Sequence, residues 1–159
     1  MSTANRATFH TTSAAQTRAL GRRLARLLRP GDVVFLQGPL GAGKTSMAQG
    51  VGQGLKVQTP MTSPTFVLLA RHEGSTPLYH ADLYRLTEPE EVADLALEQQ
   101  SNDGVLLIEW PERGLEELPA EHLLVVLEPV EGNEKERRIT IVANGRRYRH
   151  VLDGLGARG

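Results

Sequence analysis

The sequence predicts an α/β domain: a mainly parallel central sheet flanked by helices, with an antiparallel hairpin at its C-terminal end. Three observations carry this. Val33-Val34-Phe35-Leu36 and Val105-Leu106-Leu107-Ile108 are short, wholly apolar runs of buried-strand length. Stretches with helical apolar spacing alternate with strand-like ones, as in folds whose strands are joined by helical crossovers. The C-terminal third then changes to strand patterns, with the turn signal Asn144-Gly145.

Taken in order, residues 13–28 read as the first helix. Ser13 and Gln16 make a capping box, and Leu20, Leu24, Leu27 and Leu28 share one face. Arg18, Arg22, Arg26 and Arg29 lie opposite, and Pro30-Gly31 ends the helix. A strand over 32–36 leads into a glycine-rich loop and a second helix from about Lys44 to Gly54. Residues 62–65 read as a polar loop feeding a strand at 66–70, and a further strand covers 78–84. Thr87 and Glu90 form another capping box, with Pro89 in the first turn, opening a helix towards Gln100. Residues 105–108 are a strand ending at Glu109-Trp110-Pro111. Residues 122–130 and 136–143 are strands, and Asn144-Gly145 is expected to turn the chain into a strand over 146–151. One domain spans 1–152, and 153–159 is expected to be a flexible tail.

The 159 residues, 40% hydrophobic and 23% charged, suit one globular domain with its own core. No apolar run reaches the roughly 18 residues that span a bilayer, and residues 1–10 lack the apolar stretch of a secretory signal. The absence of cysteine excludes disulfides, thiolate metal sites and a cysteine nucleophile. A cytoplasmic location is compatible with these features and is the expectation. A net charge of −1 makes no case for wrapping nucleic acid. The chain has 15 Arg but three Lys, at 44, 56 and 135, so a lysine inside a glycine-rich loop is conspicuous.

That loop, Gly38-Pro39-Leu40-Gly41-Ala42-Gly43-Lys44-Thr45, fits G-x-x-x-x-G-K-[ST] at each fixed position. At this chain's own residue frequencies about 0.003 chance matches are expected. A triphosphate needs several N–H donors at close range, and glycines at 38, 41 and 43 let the backbone wrap it without Cβ atoms in the way. The following helix points its N-terminal amides at the anion, so that the amides of Gly41, Ala42, Gly43, Lys44, Thr45 and Ser46 together are expected to hold it. Lys44 supplies a mobile charge for the β- and γ-phosphates, and Thr45 a hydroxyl for Mg²⁺. The fold is therefore P-loop NTPase-like, with ATP and Mg²⁺ as expected ligands.

Such sites place a carboxylate at the end of a neighbouring strand to hold the magnesium, directly or through water. Glu109, ending the more apolar strand, is assigned the metal or water-positioning role, and Asp82 the other carboxylate role. Trp110, the single tryptophan, either packs over a ligand or plugs the core beneath the loop. None of the five histidines, 10, 72, 80, 122 and 150, has a second histidine at ligand spacing. Residues 62–65 are either a mobile segment that senses the γ-phosphate or a capped turn. Arg137, Arg138, Arg146, Arg147 and Arg149 cluster about the expected hairpin and read as a solvated edge, with a tRNA or partner contact as the alternative.

Together the P-loop, Ser63-Pro64-Thr65-Phe66, Tyr79-His80-Ala81-Asp82-Leu83-Tyr84-Arg85-Leu86 and Ile108-Glu109-Trp110-Pro111-Glu112 resemble the TsaE (YjeE) family, the bacterial tRNA threonylcarbamoyladenosine biosynthesis ATPases. The order and spacing match over nearly the whole chain. The resemblance implies a weak ATPase that works with the proteins TsaB and TsaD to threonylcarbamoylate the adenosine next to the anticodon of ANN-decoding tRNAs. The transfer chemistry belongs to TsaD, and ATP hydrolysis resets the complex; tRNA is met through that complex. It further implies that Lys44 and Thr45 contact phosphates and metal, that Glu109 is the magnesium carboxylate and that Asp82 is the proposed catalytic aspartate. Trp110 would lie near the nucleotide, with Thr17 and Arg138 near the adenine. Pro39 and Ser46 depart from the family pattern, the first where an acidic residue is usual, the second where a threonine is. The rival readings are a small-molecule kinase, disfavoured by an acidic stretch at 112–121 containing one Arg, and an ATP-dependent assembly factor that does not hydrolyse.

Overall fold

The computed structural model describes residues 5–59, 69–86, 92–93 and 96–156. In chain order it contains β1 (Arg6–Thr11), α1 (Ala14–Ala25), β2 (Val33–Gln37), α2 (Lys44–Gly54), β3 (Leu69–His72) and β4 (Leu78–Asp82). These are followed by α3 (Leu97–Gln100), β5 (Val105–Glu109), β6 (His122–Val130), β7 (Asn133–Asn144) and α4 (Arg149–Gly154). One sheet takes the order β1-β7-β6-β2-β5-β4-β3. The middle four strands, β6, β2, β5 and β4, run parallel, and the outer pairings are antiparallel. The predicted fold class is the observed one. The expected loop at 62–65 and the capping box at Thr87–Glu90 lie outside the described residues.

The sheet separates two apolar layers. On one face Val34, Leu36, Val105, Leu107, Leu123, Val125, Ile139 and Ile141 pack under α1, α2 and α4. On the other Val33, Phe35, Leu106 and Ile108 meet Leu83, Leu86, Val92, Leu97 and Leu118. Adjacent residues of β2 and β5 serve opposite layers because side chains alternate along a strand. That two-sided burial is why these strands read as unbroken apolar runs. Ser13 caps α1 as expected, its side chain accepting from Gln16 N at 3.1 Å. Helices α1 and α2 press together at their glycines, considered below.

The ends of the chain add one strand to the expected set and correct another, the strand expected at 146–151. Residues 6–11 form a strand, β1, paired antiparallel with β7 from Arg6↔Val142 to Thr11↔Arg137. Its alternation of exposed Thr8 and His10 with the inward Ala7, Phe9 and Thr11 has only one large apolar residue to signal it. Because β1 occupies the free edge of β7, a strand at 146–151 has no edge to join. After Gly145 (φ 123°) the chain instead makes a 3₁₀ turn, Arg146–Tyr148, and then α4. The antiparallel C-terminal hairpin is β6–β7, turned at Gly132 (φ 84°). Helix α4 runs to Gly154, and Leu152 and Leu155 are buried in the first layer. Tyr148 anchors the segment by accepting from Val33 N at 2.9 Å, and Arg147 Nε donates to the fully buried Asp32 at 2.6 Å.

His122 supplies a stability prediction. Its ring stacks on Phe35 with centroids 3.8 Å apart, Nδ1 donates to Pro119 O at 3.1 Å, and Nε2 accepts from Asn144 Nδ2 at 3.0 Å. Burial pushes its pKa below the ordinary 6.5, and burial does the same to His72. Above pH 6.5 neither folded nor unfolded state carries the protons. As pH falls through the unfolded value the unfolded state takes them up first, so stability is lost. Urea midpoints are expected to fall between pH 7.5 and 5.5, with a shallower fall in His122→Phe. An unchanged pH slope in that variant would contradict the assignment.

Candidate functional site

The parallel strands β2, β5 and β4 end side by side, with Leu36 in register with Glu109, and Glu109 with Asp82. Ligand crevices of open α/β sheets lie at such carboxyl ends. Immediately after β2 the glycine loop curls into α2, whose predicted limits, Lys44 to Gly54, are those observed. Gly41 and Gly43 take left-handed φ values of 79° and 101°. A Cβ at Gly38 would lie 2.5 Å from Leu127 O, so that glycine is required by packing, whereas one at Gly41 would meet open space. Gly43 caps α2 without a side-chain hydrogen bond. Gly43 thus offers no side chain to the first-turn amides of Lys44, Thr45 and Ser46, an arrangement suited to an anion.

Lys44 is 6% exposed, and its ammonium is buried without a hydrogen-bond partner among the described residues. Nζ rests over the Trp110 ring, 3.5 Å from its centroid. Burial lowers the Lys44 pKa, opposed by the fields of Glu109, Glu112 and Asp82. Burial raises that of Asp82, whose Oδ1 accepts from Tyr84 N at 2.9 Å. Trp110, left-handed at φ 58°, packs against the second apolar layer, and its ring face meets the Lys44 ammonium. Tyr84 tilts against it at 4.8 Å, and Arg113 stacks on Tyr84.

Strand alternation puts His80, Asp82 and Glu109 on the α2 side of the sheet, since Leu78, Val105 and Leu107 belong to that layer. Glu109 is nearly fully buried, and its Oε2 accepts from His80 Nε2 at 2.6 Å. Thr45 is exposed at the start of α2 and Ser46 half-buried. Among the described residues no three His, Cys, Asp or Glu side chains form a metal cage. A hydroxyl and a buried carboxylate next to an anion site instead match Mg²⁺, which binds through one or two protein oxygens plus phosphates. The Lys44 ammonium, with no hydrogen-bond partner among the described residues, the open space at Gly41 and these hard oxygen donors fit a Mg²⁺-bound nucleotide.

Thr17 and Arg138 are not brought together. Thr17 is buried on α1, sharing a 2.8 Å hydrogen bond with Thr11, and lies close to Gly43. Arg138 faces the other side of β7 and pairs with Glu128. The arginine that reaches the loop is its neighbour: Arg137 Nε donates to Ala42 O at 3.0 Å and its NH2 to Gly41 O at 2.9 Å. Strand alternation could have found it, because 137 shares the inward face of Ile139 and Ile141. With Arg147 on Asp32 and Arg137 on the loop, the arginine cluster is not simply a solvated edge.

Comparison with known proteins agrees with this architecture. The family model described as threonylcarbamoyl adenosine biosynthesis protein TsaE matches residues 11–139. A Streptomyces coelicolor protein named tRNA threonylcarbamoyladenosine biosynthesis protein TsaE is 42% identical over 82% of this chain and 93% of its own. The Bacillus subtilis protein of the same name is 37% identical over 92% of each. The crystal structure of Bacillus subtilis YdiB superposes with a TM-score of 0.81 at 33% identity, covering 98% of this chain and 97% of that one.

Proposed function

The chain belongs to the TsaE family, and from that premise we propose that it is a slow, magnesium-dependent P-loop ATPase of tRNA threonylcarbamoyladenosine biosynthesis. In this reading it acts in the cytoplasm with TsaD and TsaB, reaching tRNA through that complex, and hydrolysis resets the complex between turnovers. The observation that carries the ATPase reading is Lys44: a buried ammonium with no hydrogen-bond partner among the described residues, at the N-terminus of α2 and in the field of three carboxylates. A buried cation is costly without an anion to meet, and a phosphate held by the amides of Gly41 to Ser46 is that anion.

The residues divide the work as follows. The loop amides and Lys44 hold the β- and γ-phosphates, and Lys44 leaves the Trp110 face to do so. Bound magnesium supplies neutralisation of the charge that develops on the phosphate oxygens. Thr45 and Glu109 present the oxygens that would hold it. Asp82, with its pKa raised by burial, is placed to orient an attacking water and accept its proton. Trp110 walls the site against solvent. Thr17, beside Gly43, borders the nucleotide, whereas Arg138 pairs with Glu128 on the other side of β7. Two nearby arginines are already engaged: Arg137 with loop carbonyls and Arg113 with the Tyr84 ring. Completion of the site by a partner protein accounts for slow turnover alone.

The test is phosphate release from ATP by the purified chain, then with TsaB and TsaD added. The expected result is slow release that the partners accelerate. Equal rates with and without partners would sink the idea that they complete the site. Transfer of the phosphoryl group to a small metabolite in place of water would move the function to a kinase.

A further inference from the structure

The buried pair of His80 and Glu109 has a purpose that fold stability does not explain. Their side chains are 1% and 4% exposed, and Nε2 and Oε2 are 2.6 Å apart. They are 29 positions apart in sequence and meet because β4 and β5 run parallel with Asp82 beside Glu109. A carboxylate can only accept, so Nε2 carries the hydrogen and donates it. Nδ1 is buried with no partner among the described residues, so the ring makes this contact as its one resolved polar contact. Burying such a pair yields little or no stability relative to apolar residues of the same volume. The pair sits at the carboxyl ends of β5 and β4, with His80 two residues from Asp82 along β4, where the direction of a carboxylate matters for chemistry.

We infer that His80 is a positioning residue: its Nε2–H fixes the orientation of Glu109 so that the carboxylate is ready for the magnesium of a bound nucleotide. This deepens the proposed function and rests on Glu109 being the magnesium carboxylate. Groups that hydrogen-bond a metal ligand set its direction and basicity, and their loss typically costs about 10–100-fold in metal affinity or activity.

The test is a Mg²⁺ titration of the ATP-saturated full chain, followed by fluorescence of Trp110, with ADP binding in EDTA measured alongside. His80→Phe and His80→Met fill the space without a donor; His80→Gln returns an N–H at similar reach. The Mg²⁺ midpoint is expected to rise about 10–100-fold in His80→Met and to return towards wild type in His80→Gln. Magnesium-free ADP binding stays unchanged, which a purely structural defect would not allow. His80→Phe serves as the second donor-free variant if one of the two folds poorly. A wild-type Mg²⁺ midpoint in a folded donor-free variant, or no recovery in His80→Gln, overturns the inference. Glu109→Gln separates the layers. If it raises the midpoint and the donor-free His80 variants do not, the positioning role alone fails. If Glu109→Gln leaves the midpoint unchanged, the magnesium reading of Glu109 fails with it.

Discussion

Lys44→Met is expected to lower ATP turnover by about 10²–10³-fold, the usual cost of removing one preorganised donor to transition-state charge, without lowering the melting temperature of the nucleotide-free protein. The two halves have the same cause. In the nucleotide-free state the ammonium is buried, has no hydrogen-bond partner among the described residues, and is held by the Trp110 face and the fields of Glu109, Glu112 and Asp82. Burial is the largest influence on its pKa and lowers it. Between the lowered folded value and 10.5 the unfolded state binds more protons, so stability rises with pH there; at neutral pH the buried charge is a burden. The cation–π contact returns about 0.5–2 kcal/mol of that. Methionine keeps the length and removes the charge. Scanning calorimetry checks the second half. A drop of several degrees would mean that the lysine holds the fold together and was not kept for a phosphate.

Gly50→Ala is expected to destabilise the protein, although glycine to alanine inside a helix normally gains about 1 kcal/mol. A Cβ at Gly50 would lie 2.2 Å from Arg18 O, one at Gly21 2.7 Å from Met47 O, and one at Gly54 2.5 Å from the Ala25 Cβ. Helices α1 and α2 therefore cross at backbone contact, and two of these clashes are with backbone that cannot swing aside. Overpacking of that kind costs about 1–3 kcal/mol and sometimes more. At the upper end this is a fall of roughly 6–12 °C in melting temperature for a domain of this size. Since α2 carries the phosphate loop and Thr17 of α1 lies next to Gly43, turnover should fall along with stability. A neutral or raised melting temperature would contradict the crossing.

The same glycines show where reading from sequence works and where it stops. The start of α2 at Lys44 was legible because the loop motif dictates its own geometry, and β2 and β5 because two-sided burial leaves an unmistakable apolar run. The spacing of Gly50 and Gly54 carries no such signal; the approach of α1 explains it. Strand β1 escaped notice because an edge strand buries one face, and a single Phe9 stands for that face. Asn144-Gly145 is a sound hairpin signal in isolation, but the edge it would need was already taken by β1, a fact about topology. Glu109, Asp82, Lys44 and Trp110 were legible as a set and do converge. His80 was not, because its partner is 29 residues away and meets it only through the parallel register of β4 and β5. Arg137, which makes the contacts with the loop, is legible only from strand alternation, because one step along a strand changes the face.

The measurement that bears most directly on the central claim is multiple-turnover threonylcarbamoylation of an ANN-decoding tRNA by TsaB and TsaD, with and without this chain. The wild-type chain and ATP are expected to sustain turnover. Glu109→Ala, still binding ATP, is expected to leave the reaction stalled after its first round. Full, sustained modification supported by a Glu109→Ala chain that binds ATP but does not hydrolyse it would contradict the account, and would make the nucleotide a structural ligand of an assembly factor.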